Sequence, residues 1–110
     1  MLLEFTADEM LLALVSMIQV TRPALLTPAG DGYDVDVAPL LAQKELNEDE
    51  LLVLRLYGIF SAASENTSFP LDLSAIERER LSRALAVVES SRSWPSDAVA
   101  LSRTLTSRLR

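Results

Sequence analysis

The sequence contains no cysteine and no histidine, and these two absences exclude much of protein chemistry. Without them the chain has no disulfide, no thiolate nucleophile, no imidazole base and none of the usual zinc ligand sets. Lys44 is its single lysine, and none of its three glycines lies in a phosphate-binding pattern. We therefore predict that the protein is not an enzyme and that it has no catalytic residues, no cofactor and no metal site.

Aromatic residues make up only 5% of the chain while apolar residues make up 49%, which predicts a globular protein with an aliphatic core. The longest apolar run, residues 10–20, is shorter than the roughly 20 residues that a bilayer requires. The acids Glu4, Asp8 and Glu9 precede it, where a signal peptide would carry basic residues. These features predict a single domain over residues 1–110, no membrane segment and a cytoplasmic location.

Three helix starts share one signal, an N-cap residue followed three positions later by glutamate. The pairs are Thr6 with Glu9, Asn47 with Glu50, and Ser74 with Glu77. Together with the apolar spacing, they predict main helices at about 7–20, 48–63, 75–90 and 97–109, and a short helix near 37–43. The predicted fold class is all-α, a compact bundle of four main helices plus one short helix.

The segment between the first helix and the short helix leaves two alternatives open. Prolines, glycines and the turn signal Asp31-Gly32 fit either a small β-hairpin or an irregular loop over residues 24–37. Asp31, Asp34 and Asp36 also suggest an irregular calcium-binding loop, but an EF-hand requires glycine at the position where Pro39 stands. A solvated turn without an ion is therefore the preferred interpretation.

The helices at 7–20 and 48–63 are apolar almost all round, which is typical of helices covered on most sides. In the first helix, only a thin stripe through Asp8, Leu12, Ser16 and Gln19 interrupts the apolar surface. In the second helix, Gly58 predicts a close crossing with a neighbouring helix, or alternatively a bend. So much apolar surface predicts a homodimer contact or a docked protein partner. The candidate residues are Leu11, Leu12, Val15, Leu52, Leu56, Phe60 and Trp94, although a lone tryptophan beside a proline is more commonly a core cap. We expect a non-enzymatic protein-interaction module of the adaptor, regulator or inhibitor type that self-associates.

Charge is distributed unevenly along a chain whose net charge is −6. Residues 1–76 hold 12 acids against three basic residues, whereas residues 77–110 hold seven arginines against four acids. The basic part therefore faces the acidic part, within one chain or between chains, or it binds nucleic acid. The nucleic-acid candidates are Arg78, Arg80, Arg83, Arg103 and Arg108. The net negative charge, and a connector of about 11 residues before the third main helix, make nucleic-acid binding the alternative.

Overall fold

The computed structural model describes residues 2–29, 32–62, 68–90 and 94–109, without the side chains of residues 28, 29, 32 and 33. Within these ranges the chain is mostly helical. The helices are α1 (Ala7–Thr21), α2 (Ala38–Leu41), α3 (Glu48–Ala62), α4 (Ala75–Ser90) and α5 (Ser96–Leu109). The strands are β1 (Leu2–Thr6), β2 (Leu26–Ala29), β3 (Gly32–Val35) and β4 (Ser68–Asp72), and a single 3-10 turn covers Pro23–Leu25.

The strands form two small antiparallel pairs, so the fold is mostly helical but departs from the predicted all-α class. β2 pairs with β3, with Leu26 opposite Val35, which confirms the hairpin alternative. Residues 30 and 31, with the turn signal Asp31-Gly32 in part, lie outside the described residues. β1 pairs with β4, with Phe5 opposite Phe69, and the sequence did not predict this pairing. Residues 68–72 belong to the connector before the third main helix, where the sequence predicts a polar segment whose Phe69 and Leu71 pack onto the core. The structure confirms the burial of both residues, which the alternation of strand β4 places on its inner face.

Helix α1 is the centre of the fold, and it packs against α3 on one side and α4 on another. The thin polar stripe predicted for this helix is wrong in part. Leu12 and Ser16 are buried, while Leu11 is exposed beside Asp8. Ser16 can be buried because its hydroxyl donates to the carbonyl of Ala13 at 3.0 Å, which satisfies its hydrogen-bonding capacity locally.

Gly58 lies on the exposed side of α3, and apart from the adjoining backbone of the same helix no heavy atom lies within 4 Å of the position a Cβ would occupy there. The predicted close crossing at this glycine is therefore wrong. The crossing partner of α3 is α1, and it lies against the side of α3 that carries Leu52, Val53 and Leu56.

The first capping box joins three parts of the fold. Glu9 accepts from the backbone N–H of Thr6 at 2.8 Å through Oε1, and from Arg108 at 2.7 Å through Oε2. The guanidinium of Arg108 also donates to the backbone carbonyl of Glu4 and lies 5.5 Å from the ring centroid of Phe5. One buried carboxylate thus ties the start of α1 to β1 and to the last turn of α5.

The second capping box follows the same plan at the start of α3. Glu50 accepts from the backbone N–H of Asn47 at 3.1 Å and, through its other oxygen, from Gln43 at 3.1 Å. Arg22, just after α1, lies 3.8 Å from that second oxygen and donates to Gln43. The capping glutamate therefore connects α3 to the segments that precede it.

Of the helices described, none combines the length and the apolar composition that a membrane crossing requires.

Candidate interaction surface

A depression of about 240 Å³ lies between the N-terminal ends of α3 and α4. We call it the α3–α4 groove. Its lining comprises Glu48, Leu51, Leu52, Arg55, Ser74, Ile76, Glu77 and Arg80.

Two exposed aliphatic side chains share this groove. Leu51 is 52% exposed and Ile76 is 53% exposed, whereas Leu52 beside them is buried at 2%. Single exposed aliphatic residues are ordinary on protein surfaces, but two in one concave site that charged side chains surround are typical of a binding surface.

The helical period explains why both residues are exposed. Leu51 lies five positions before the buried Leu56, and Ile76 lies five positions before the buried Leu81. Five residues rotate a side chain by about 140° around a helix, away from the buried stripe. The apolar spacing of α4 predicts one core-facing stripe of Ile76, Leu81, Ala84, Leu85 and Val88. The structure buries the last four residues and leaves Ile76 exposed, so the prediction is wrong for Ile76 alone.

Ion pairs across the groove join the two helices. Arg55 of α3 contacts Glu77 of α4 at 2.5 Å, and Arg80 of α4 contacts Glu48 at 3.0 Å and Asp49 at 2.7 Å. Glu77 is the third capping glutamate, and its other oxygen accepts from the backbone N–H of Ser74 at 2.9 Å. The capping geometry that starts α4 therefore also positions one rim charge.

Hydrogen bonding favours the charged forms of Glu77 and Arg80. Burial acts to raise the pKa of Glu77, but the hydrogen bonds from Arg55 and from the Ser74 backbone outweigh it and hold that pKa below its ordinary value of 4.5. For Arg80, the hydrogen bond to Asp49 raises the pKa above its ordinary value. At neutral pH the groove thus has an apolar centre and a rim of fixed, paired charges.

The structure places the predicted interface residues in three environments. Four are buried within this chain, namely Leu12, Val15, Leu52 and Leu56. Leu11 is 45% exposed on α1. Phe60 and Trp94 are half-buried against the core, and the ring of Phe60 stacks on Phe69 at 5.7 Å. Of this set, only Leu52 lines the groove, as part of its buried floor; the exposed groove residues Leu51 and Ile76 were not among the candidates.

Most of the candidate nucleic-acid arginines contact carboxylates. Arg80 pairs with Glu48 and Asp49, Arg83 with Glu79 at 2.7 Å, and Arg108 with Glu9. Arg103 is exposed on α5, and Arg78 is half-buried on α4. The prediction that the basic C-terminal part faces the acidic N-terminal part is confirmed within the chain by the pairs of Arg80 and Arg108.

The described residues contain no group of three or more histidine, cysteine, aspartate or glutamate side chains arranged to hold a metal ion. In the loop considered for calcium, Asp36 accepts from the backbone N–H of Ala38 at 3.0 Å, next to the start of α2. Asp31 lies outside the described residues.

Comparisons of the chain with protein-family models, with curated proteins and with solved structures find no match.

Proposed function

We propose that this protein is a non-enzymatic interaction module that binds another protein chain through the α3–α4 groove. The observation that carries the proposal is the exposed pair Leu51 and Ile76 in one concave site with a charged rim. Protein interfaces commonly bury a few large apolar anchors at the centre and keep polar groups around them. The groove has that arrangement on a small scale.

The rim also favours a protein partner over a free ion or a small anion. Arg55 and Arg80 already contact carboxylates of the same chain, so their charges are balanced locally. A partner that presents an aliphatic side chain gains by covering Leu51 and Ile76, and its polar groups can share the rim hydrogen bonds.

The arrangement of the arginines supports nucleic-acid binding less well, and we keep it as the alternative function. A duplex would have to displace the intrachain carboxylates from Arg80, Arg83 and Arg108 before its phosphates could be neutralised. Titration with duplex DNA at low salt separates the two functions, and we expect no salt-sensitive binding. A cytoplasmic location stays a prediction of the sequence.

Capture of partners from an extract of the source organism tests the proposal, with the full chain as bait. Leu51→Lys and Ile76→Lys each place a charge in the apolar centre of the groove without disturbing a buried residue. We expect each variant to reduce the recovered partner by about tenfold or more, because anchors of this kind dominate binding energies.

Leu41→Lys is the matched control, because Leu41 is a leucine on a different helix, is 69% exposed and does not line the groove. The control should recover the partner at the wild-type level. Equal recovery by the two groove variants and the wild type would rule out the groove as the binding site.

A further inference from the structure

The exposed side of α3 carries an acid, a leucine and an arginine in succession. Glu48, Leu51 and Arg55 lie three and four positions apart, so they follow one side of the helix. The side chain of Glu48 is 59% exposed and that of Arg55 is 38% exposed, and Leu51 between them is half-exposed. All three line the α3–α4 groove.

These three side chains are complementary in charge to the same three side chains on a second α3 that runs in the opposite direction. The rise of an α-helix places Glu48 and Arg55 about 10.5 Å apart, with their midpoint beside Leu51. A second α3 that runs antiparallel and is centred on Leu51 therefore presents an arginine opposite Glu48 and a glutamate opposite Arg55. A two-fold contact repeats each such pair, because symmetry relates both halves of the interface.

We propose that the occupant of the α3–α4 groove is a second copy of this chain. The two α3 helices lie antiparallel across a two-fold axis, with Leu51 of each copy next to the axis. Glu48 of each copy lies opposite Arg55 of the other. The inference rests on the proposed function, since it names the protein partner that the groove binds.

The charge of the groove agrees with a second copy as the occupant. Two copies that carry −6 each repel one another over most of their surfaces. The four charged residues that line the groove, Glu48, Glu77, Arg55 and Arg80, sum to zero, and Asp49, which pairs with Arg80, brings the local sum to −1. Two copies therefore meet at this face with little net repulsion, whereas a strongly acidic or basic partner gains little attraction there. One helix face is a small interface, so the dimer is expected to be weak and dependent on concentration.

Analytical ultracentrifugation of the purified full chain over a wide concentration range is the first test. We expect the mean mass to rise with concentration from 12.1 kDa toward twice that value. Leu51→Lys should abolish the rise because it brings two like charges together at the axis, and Leu41→Lys should leave it unchanged. Circular dichroism of every variant verifies the helical fold.

Charge reversal tests the antiparallel register. Glu48→Arg and Arg55→Glu each place like charges opposite one another twice, and each alone should weaken dimerisation by about tenfold. An equimolar mixture of the two variants should restore association as a mixed dimer, because one copy then carries only arginine and the other only glutamate at these positions. If each single variant failed to dimerise only because it had lost contacts within its own chain, mixing the two variants would not restore association. Asp97→Arg, an exposed first-turn acid on α5, is the control and should dimerise as the wild type does.

Three outcomes would overturn the inference. The mass could stay at 12.1 kDa at the highest soluble concentration, the dimer could persist with Leu51→Lys, or the mixture could fail to associate. A chain that is monomeric but captures a different protein through Leu51 and Ile76 would refute the dimer and leave the proposed function standing. If Leu51→Lys and Ile76→Lys captured as much partner as the wild type does, the proposed function itself would be refuted.

Discussion

Gly58 interrupts the exposed side of α3 without any packing reason on the described surface, because a Cβ there would meet open space. At the residue scale this predicts that Gly58→Ala stabilises the protein. Glycine in a helix interior costs roughly 0.5–1 kcal/mol relative to alanine, chiefly through the freedom it has when unfolded. Urea denaturation should show an increase of that size in the free energy of unfolding.

The control for Gly58→Ala is Ser61→Ala, an exposed change in the same helix. We expect a smaller gain from it, since serine is already closer to alanine in helix propensity. If Gly58→Ala instead destabilised the chain, a neighbour would have to occupy the space beside Gly58. Measurement at low concentration keeps any association through α3 out of the comparison.

At the scale of elements, local signals predicted the helices and missed one of the strand pairs. The capping pairs at Thr6, Asn47 and Ser74 placed the starts of α1, α3 and α4 at the residues where the structure has them. A capping box involves residues three positions apart, so sequence alone can reveal it. β1 and β4 could not be found in this way, because Phe5 meets Phe69 only after the chain between them has folded.

The ion pair between Arg55 of α3 and Glu77 of α4 predicts that the contact between these two helices weakens in acid. The pKa of Glu77 lies below its ordinary value of 4.5, so its carboxylate is charged in the folded protein at pH values where the unfolded chain begins to bind a proton. The stabilisation from Glu77 is therefore complete above about pH 4.5. It is lost as the pH falls through the lower, folded-state pKa.

Urea denaturation of the wild type and of Glu77→Gln between pH 7 and pH 3 measures this link. The variant should be less stable at neutral pH, and the difference should shrink below about pH 4.5. Glu79→Gln is the control, because among the described residues Glu79 pairs within α4, with Arg83 on an exposed face. A difference for Glu77→Gln that stayed constant down to pH 3 would contradict the assignment.

At the scale of the whole molecule, the candidate surface was the least predictable part. The sequence predicted more apolar surface on the first two main helices than one chain could cover, but Leu12, Leu52 and Leu56 are buried by the chain itself. The residues that stay exposed, Leu51 and Ile76, differ from their buried neighbours only in angular position on the helix. Which angular position on α3 becomes buried depends on where α1 packs against it. The sequence does not reveal this, because α3 is apolar on nearly every side.

Arg108 links distant parts of the chain, and its removal should destabilise the whole fold. Arg108→Ala leaves the nearly buried carboxylate of Glu9 without its cationic partner and removes the contact with Phe5. We expect a loss of about 1–3 kcal/mol in the free energy of unfolding, below the range for fully buried pairs because Arg108 is partly exposed.

Arg83→Ala is the control for Arg108→Ala, since it removes an arginine from an ion pair whose two side chains are both well exposed. Such a pair contributes on the order of 0.5 kcal/mol. A double-mutant cycle with Glu9→Gln isolates the coupling between Arg108 and Glu9. Equal effects of Arg108→Ala and Arg83→Ala would show that the link to Glu9 adds no stability of its own.

The contact between Glu9 and Arg108 spans 99 positions of the chain, and this separation affects how the protein is made. Ribosomes add roughly 5–20 residues per second, so on the order of 5 to 20 seconds pass between the synthesis of the two residues. The leucines and methionines of α1 leave the ribosome before α4, which later covers one side of them, has been translated. During translation this central helix therefore lacks its native cover on that side until α4 has emerged.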